Sequence, residues 1–386
     1  MREDLDYLLI GGGLQNGLIA LALRARQPDA RIAMIEQAAA IGGNHTWCFH
    51  DDDVAADVAA WIAPLVVARW DGYDVAFPAH RRTLTSGYAC ISSARFATCV
   101  AAALAVPGSR LATQTHAIAV TANHAVVRNP DGTTTALHAR AVIDARGPEA
   151  GAAAIAGAGW QKFVGHELQL ARPHGLVRPI LMDATVPQLD GFRFLYVLPL
   201  APDRVLVEDT RFADGAFLDV AALRDELAGY ADARGWGDAT IVREEHGVLP
   251  LPWQLEPAPP RAPLIAGYQG GWFHPVTGYS LPIAARLAAF IAARPADALF
   301  GAALEAHARA HHGQLGYARR LNRMLFRWFA PADRYRVLER FYRLPEAVIR
   351  RFYALELTPL DRARILIGRP PRGLSWRAVL AAPEVR

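Results

Sequence analysis

The chain has 386 residues, long for one compact core and suited to two closely joined domains. Hydrophobic residues make up 52% and charged residues 20%, which excludes disorder and favours a large apolar cavity or contact with a membrane. The net charge of +4 hides an asymmetry: residues 301–386 hold 17 Arg, no Lys and 7 acids, a net of +10, which leaves −6 on the other 300. That basic end calls for an anionic surface, and the absence of any nucleic-acid motif argues against nucleic acid as the partner.

No run of about 18 apolar residues is present, so no spanning helix is expected. The start, MREDLDYLL, lacks the basic region of a signal peptide. Cys48, Cys90 and Cys99 form neither a disulfide framework nor zinc spacing, so reduced thiols in a cytoplasmic protein are expected, with no metal.

In chain order, Asp6–Ile10 reads as a buried strand, followed by a glycine-rich turn, a helix over Leu18–Ala25 and a second strand over Arg31–Glu36. This βαβ unit opens with Gly11-Gly12-Gly13-Leu14-Gln15-Asn16-Gly17. A dinucleotide pyrophosphate needs a tight turn, close backbone approach and the N–H groups that begin a helix. Gly11 and Gly13 match the first two glycines of GxGxxG; Asn16 holds the third position and Gly17 follows it. Glu36 ends the second strand where a carboxylate would hold a ribose hydroxyl, as in FAD or NAD. Next come Gly42-Gly43-Asn44, where Asn44 stands in the place usually taken by Arg in one group of flavoproteins. His116–Val120 and His124–Arg128 read as a meander. Ala141–Asp144 is a strand ending in Asp144-Ala145-Arg146-Gly147.

From Phe163 to about Leu251 the pattern becomes β-rich, with Phe192–Leu200 and Arg204–Glu208 divided by an Ala-Pro-Asp turn. Pro263–Gly271 reads as a strand returning to the first domain, with Tyr268 in place of the usual acid after Gly267. Leu281–Ala293 reads as a helix. The remainder is helical and arginine-rich; Arg319–Phe329 and Leu338–Tyr353 are amphipathic, which suits either packing on the core or lying on an anionic membrane. One Rossmann unit with later returning segments points to FAD rather than to a simple NAD enzyme.

The segments GGGLQNGLIAL (11–21), GGNHTW (42–47), SGYACISSARF (86–96), VEDT (207–210), FHPVTGYSLP (273–282) and RFYRLPE (340–346) together resemble the bacterial lycopene β-cyclases of carotenoid biosynthesis, over nearly the whole chain. The fold implied is α/β: a Rossmann-type FAD-binding domain of the glutathione-reductase/hydroxylase kind, with an inserted β-sheet substrate domain and a C-terminal helical region. The expected division is 1–160 and 261–300 for FAD binding, 161–260 for substrate and 301–386 for the helices.

The resemblance implies conversion of lycopene through γ-carotene to β-carotene, with reduced FAD required but not consumed and NAD(P)H as the external reductant. It implies a cytoplasmic protein held peripherally at the inner face of the membrane. Glu208 and Asp209 are the implied acids. Consecutive strand residues point to opposite faces, so one of them faces the substrate, and Glu208 is the choice. His274 is the third candidate, as proton relay or as packing. Gly11, Gly13, Gly17, Glu36, Gly43, Asp144, Gly267, Thr277 and Gly278 are the expected cofactor contacts. The alternative reading is an FAD-dependent monooxygenase or reductase acting on an isoprenoid, since fold does not fix function.

Overall fold

The computed structural model describes residues 5–147 and 157–381. Its first sheet is built on Leu5–Ile10, an apolar run buried on both faces as a central parallel strand requires. Ile32–Ile35 and Arg110–Ala112 extend it on one side, and the long strand Thr134–Asp144 on the other. Thr134–Asp144 does two jobs. Its end runs parallel to the first strand, with Ile10 opposite Asp144. Its beginning joins an antiparallel meander with His124–Arg128 and His116–Val120.

The helix of the βαβ unit spans Leu14–Arg26, four residues earlier than the apolar pattern alone predicts, because the helix begins directly from Gly13. It packs beside Leu281–Ala292 through a shared core that includes Leu18, Leu23, Leu287 and Ile291, all inaccessible to solvent. Each such leucine or isoleucine stabilises the fold by about 1.5–3 kcal/mol. The returning strand is shorter than expected: only Leu264–Ile265 pairs, parallel to Ile143–Asp144, before the chain turns away at Gly267.

The second sheet runs in the order Thr240–Pro252, Ala158–Gln169, Arg204–Ala213, Phe192–Ala201, Ile180–Asp183, Tyr73–Phe77, His80–Leu84. Its last two strands come from well before residue 161. On one face Val164, Val197, Val205 and Val207 are covered by Leu223, Leu227 and Ala231 of the helix Val220–Ala233. The other face looks toward the first sheet across a cavity. A small third sheet, Thr46–His50, Tyr88–Ser92 and Val66–Trp70, closes one side of that space.

C-terminal helices complete the cover, the longest being Ala302–Trp328. In the segment Leu338–Tyr353, the side chains of Leu338, Phe341, Val348, Ile349, Phe352 and Tyr353 are buried in the main core. Exposed apolar residues lie further on, at Leu360, Ile367, Trp376 and Leu380. No helix among the described residues is long and apolar enough to cross a membrane.

Candidate active site

A single cavity of about 1270 Å³ runs from the glycine-rich turn to the second sheet. That exceeds the ~300–1,000 Å³ of an ordinary small-molecule site and leaves room for a dinucleotide and a long apolar chain.

At its polar end lie Gly11, Gly12, Gly13 and Glu36. Gly11 adopts φ +93°, and a Cβ on it would stand 2.9 Å from the Ala145 carbonyl oxygen; the turn therefore requires glycine there. Gly13 caps the helix with no side-chain hydrogen bond, and nothing lies within 4 Å of its missing Cβ. The first-turn N–H groups thus face open cavity, as an anion site needs. The Glu36 carboxylate accepts from Gly12 N at 2.6 Å and Ala38 N at 2.7 Å, which fixes it beside the turn. Asn16, fully buried, donates to the carbonyls of Ile10 and Gly11, both at 2.8 Å, so the residue in the third glycine position ties the turn together from behind.

Gly43, Gly267, Thr277 and Gly278 also line the cavity. Gly17 and Asp144 do not. The Cβ position of Gly17 lies 2.0 Å from Phe96 Cζ, so this glycine lets the helix approach an aromatic ring. Asp144 is buried and holds the Arg146 guanidinium through two hydrogen bonds, at 2.9 and 2.7 Å, and its backbone N–H through a third at 3.2 Å; its neighbours Ala145, Arg146 and Gly147 reach the cavity instead. Asn44 donates to the Glu244 carbonyl at 2.6 Å and so joins the loop to the second sheet. Tyr268 donates to the Gly278 carbonyl and stacks on Phe273 at 4.1 Å, which braces the returning segment.

At the apolar end, one cross-strand row of the second sheet reads Tyr196, Glu208, Gly165, Glu245. Three of these side chains line the cavity together with Leu181, Leu198, Leu206 and Val248. Glu208 keeps some accessible surface because the void opens in front of it. Burial among apolar groups, reinforced by the charge of Glu245, pushes its pKa up to about 8, against a hydrogen bond from Thr210 Oγ1 at 2.6 Å. That direction favours the neutral carboxylic acid over the carboxylate. Asp209 points to the opposite face and is wholly buried with Arg193 and Arg211.

Glu245 is the residue that the sequence reading missed. It belongs to an acidic doublet, Glu244-Glu245, that alternates across the sheet as Glu208-Asp209 does. Glu244 pairs with Arg224 and His166 on the far face. The doublet in a β-rich run was a usable signal; its partnership with Glu208 required the sheet register.

His274 lies outside the cavity lining. Its Nε2 contacts the Phe352 carbonyl at 2.9 Å and its Nδ1 accepts from Val276 N at 3.2 Å. Burial lowers its pKa to about 3. Both ring nitrogens are committed to the backbone, so the geometry fits packing and offers a relay no route. Aromatic side chains line the void itself: Tyr88, Tyr279 and Tyr353, with His50 at 5.0 Å from Tyr88 and 5.5 Å from Tyr353. Among the described residues, no group of three or more His, Cys, Asp or Glu could hold a metal ion.

This architecture is the Rossmann-type FAD-binding fold of flavin-dependent monooxygenases, halogenases and reductases. Similar solved structures include a geranylgeranyl bacteriochlorophyll reductase-like protein from Thermoplasma acidophilum (TM-score 0.62, 13% identity, 95% of this chain and 96% of that one). Another is a probable FAD-dependent monooxygenase from Pseudomonas aeruginosa (TM-score 0.58, 16% identity, 83% and 94%). At these identities the likeness speaks for the fold alone.

Within that class the chain belongs to the lycopene cyclase family. The family described as "Lycopene cyclase protein" matches residues 6–378. Relatives named lycopene beta-cyclase include those of Pantoea ananas (46% identical over 382 residues, 96% of each chain) and Pseudescherichia vulneris (44% over 387 residues, 97% of each).

Proposed function

We propose that this chain is a lycopene β-cyclase that converts lycopene through γ-carotene to β-carotene without net oxidation. The observation that carries the proposal is the carboxyl of Glu208 on the wall of a largely apolar cavity continuous with the glycine-rich arm, where burial raises its pKa and favours the protonated form. An alkene is a very weak base, so its protonation needs an acid that is neutral, poised and dry.

In this reading the Glu208 Oε–H bond breaks and the proton goes to the terminal double bond of lycopene. A tertiary cation results. The neighbouring double bond attacks it, closing a six-membered ring and moving the charge to a ring carbon. Loss of a ring proton gives the β-end group. Tyr88, Tyr196, Tyr279 and Tyr353 line the cavity, and a ring face turned to the substrate would favour a passing cation. The apolar wall of Leu181, Leu198 and Leu206 excludes water that would quench it.

FAD fits the polar arm: the uncapped helix start, the open space at Gly13 and the fixed carboxylate of Glu36 suit its pyrophosphate and ribose. Gln15 and Gln161, whose side-chain oxygens are buried without a partner, both line the cavity and would meet bound cofactor. Bound in reduced form, it would supply negative charge beside the developing cation. NAD(P)H is the proposed external reductant. Residues 1–160 and 261–300 then serve the cofactor, 161–260 the substrate and 301–386 the cover, with Tyr73–Leu84 lent to the substrate sheet. The protein is proposed to work on the cytoplasmic face of the membrane that dissolves its substrate.

The test supplies purified protein with lycopene in liposomes, FAD and an anaerobic reductant, and reads chromatography with mass. Wild type is expected to give a bicyclic isomer of unchanged mass, and Glu208→Gln none. A product gaining oxygen or hydrogen would assign a monooxygenase or reductase instead.

A further inference from the structure

Glu208 gives up one proton for each ring, and each ring gives one back. The row Tyr196–Glu208–Gly165–Glu245 holds a second carboxylate on the same cavity wall, one strand beyond Gly165. Glycine at 165 is what lets the two approach. The point that its Cβ would occupy is 3.3 Å from Glu208 Cγ and 3.2 Å from Glu245 Cγ, so any side chain there would wedge between them.

The two acids are held differently. Glu208 has one neutral hydroxyl donor, Thr210. Glu245 Oε2 takes Arg243 Nη1 at 2.6 Å and Thr46 Oγ1 at 3.1 Å, and the same guanidinium is fixed by Glu167 at 2.9 Å. Glu245 Oε1 carries no hydrogen bond among the described residues. Burial raises the pKa of Glu245 above the ordinary carboxylate value, which strengthens it as a base. The Arg243 guanidinium and the Thr46 hydroxyl pull it back toward the ionised form and leave one oxygen free to take a proton. Its charge in turn favours the proton on Glu208.

We infer that Glu245 is the catalytic base that removes the ring proton, the counterpart of Glu208 as acid. The inference rests on the cyclisation reading and deepens it. The steps balance: the ring C–H bond breaks, its electrons form the ring double bond, and the proton forms an O–H bond at Glu245. Glu208 is then the carboxylate and Glu245 the acid. Transfer of that proton across the space above Gly165 restores the starting state, with no proton taken from solvent.

A base that fixes where the proton leaves also fixes the ring type. The ring cation has three neighbouring carbons bearing hydrogen. Loss from the one attached to the polyene gives the β-ring, from the ring methylene the ε-ring, and from the methyl group the exocyclic γ-ring. Glu245 placed beside the first position would select β.

The experiment gives wild type, Glu245→Gln and Glu245→Asp lycopene in liposomes with bound reduced FAD, and resolves the ring types of all products. Glu245→Gln is expected to lower β-ring formation on the order of 10²-fold or more. The rings that it does form should shift to ε- and γ-types. Glu245→Asp, which keeps the charge and the pairing with Arg243, should restore much of the β share at a reduced rate. A structural role would lower turnover and leave the ring type unchanged. Only β-rings from both variants would overturn the inference, as would wild-type rates from Glu245→Gln. Should wild type itself give no isomeric cyclic product, the cyclisation reading falls and the inference with it.

Discussion

Asp209 accepts from Arg193 Nε at 2.9 Å and pairs with its Nη2 at 2.8 Å, and neither side chain is more than 1% exposed. Arg211 adds a second cation to the same carboxylate at 3.1 Å. Removing one partner of such a pair strands a buried charge. Asp209→Ala should therefore cost roughly 3–5 kcal/mol of stability, read as a lower denaturant midpoint. Product formed by surviving folded protein should keep its ring type, because Asp209 faces away from the cavity.

If Glu208 is the acid, as proposed, activity should fall as pH rises through about 8, where it loses its proton. The sign for stability follows from the same shift. The folded pKa lies above the ordinary value of 4.5, so the folded state holds a proton that the unfolded chain releases. The contribution of this group is most favourable below pH 4.5 and is lost as pH rises through 8. Glu208→Gln removes that dependence. Paired denaturation curves from pH 5 to 9 should show the variant gaining on wild type with pH; a constant difference would refute the shift.

Cofactor retention should depend on the glycine arm and not on the acid pair. Glu36→Ala removes both the proposed ribose contact and the anchor for Gly12 N. It should weaken flavin binding by an order of magnitude or more, measured as flavin absorbance per polypeptide. Glu208→Gln, at the other end of the cavity, should purify with wild-type flavin content.

The exposed end of the chain should decide where the protein sits. Leu360, Ile367, Trp376 and Leu380 are 64–85% exposed, among the exposed Arg364, Arg369, Arg372 and Arg377. Apolar and basic groups together favour the interface of an anionic bilayer. In flotation assays the protein should rise with anionic vesicles at low salt and less so at high salt. Combined Leu360→Ser and Trp376→Ser should abolish flotation while leaving turnover of detergent-dispersed substrate intact.

Local pattern carried much of this. The first strand, the glycine turn and Glu36 were legible because a dinucleotide site is written within about 30 consecutive residues. The strands His116–Val120 and His124–Arg128 were legible as runs. The alternation that sends Glu208 and Asp209 to opposite faces needs only the two-residue repeat. What stayed hidden depends on register between distant segments. Tyr73–Phe77 pairs with Ile180–Asp183 more than a hundred residues later, and nothing in either run announces the other. Glu245 meets Glu208 only because Ala158–Gln169 lies between their strands and offers glycine at the crossing. The amphipathic stretch Leu338–Tyr353 shows the limit of periodicity: the stripe is real, but it faces the core rather than the lipid.

The strand Arg204–Ala213 is a partition one residue thick between the apolar cavity that Glu208 faces and a sealed, ion-paired interior. Its reading frame is therefore a constraint on evolution as strict as any side chain. Deleting a single residue before Glu208 would turn the proposed proton source toward the helix Val220–Ala233 and push an arginine-bound carboxylate into the cavity. Such a chain could keep its composition, its sheet and its cofactor, yet hold every chemical group on the wrong side of the wall. Insertions that survive in this region are expected at the turns, in pairs or not at all.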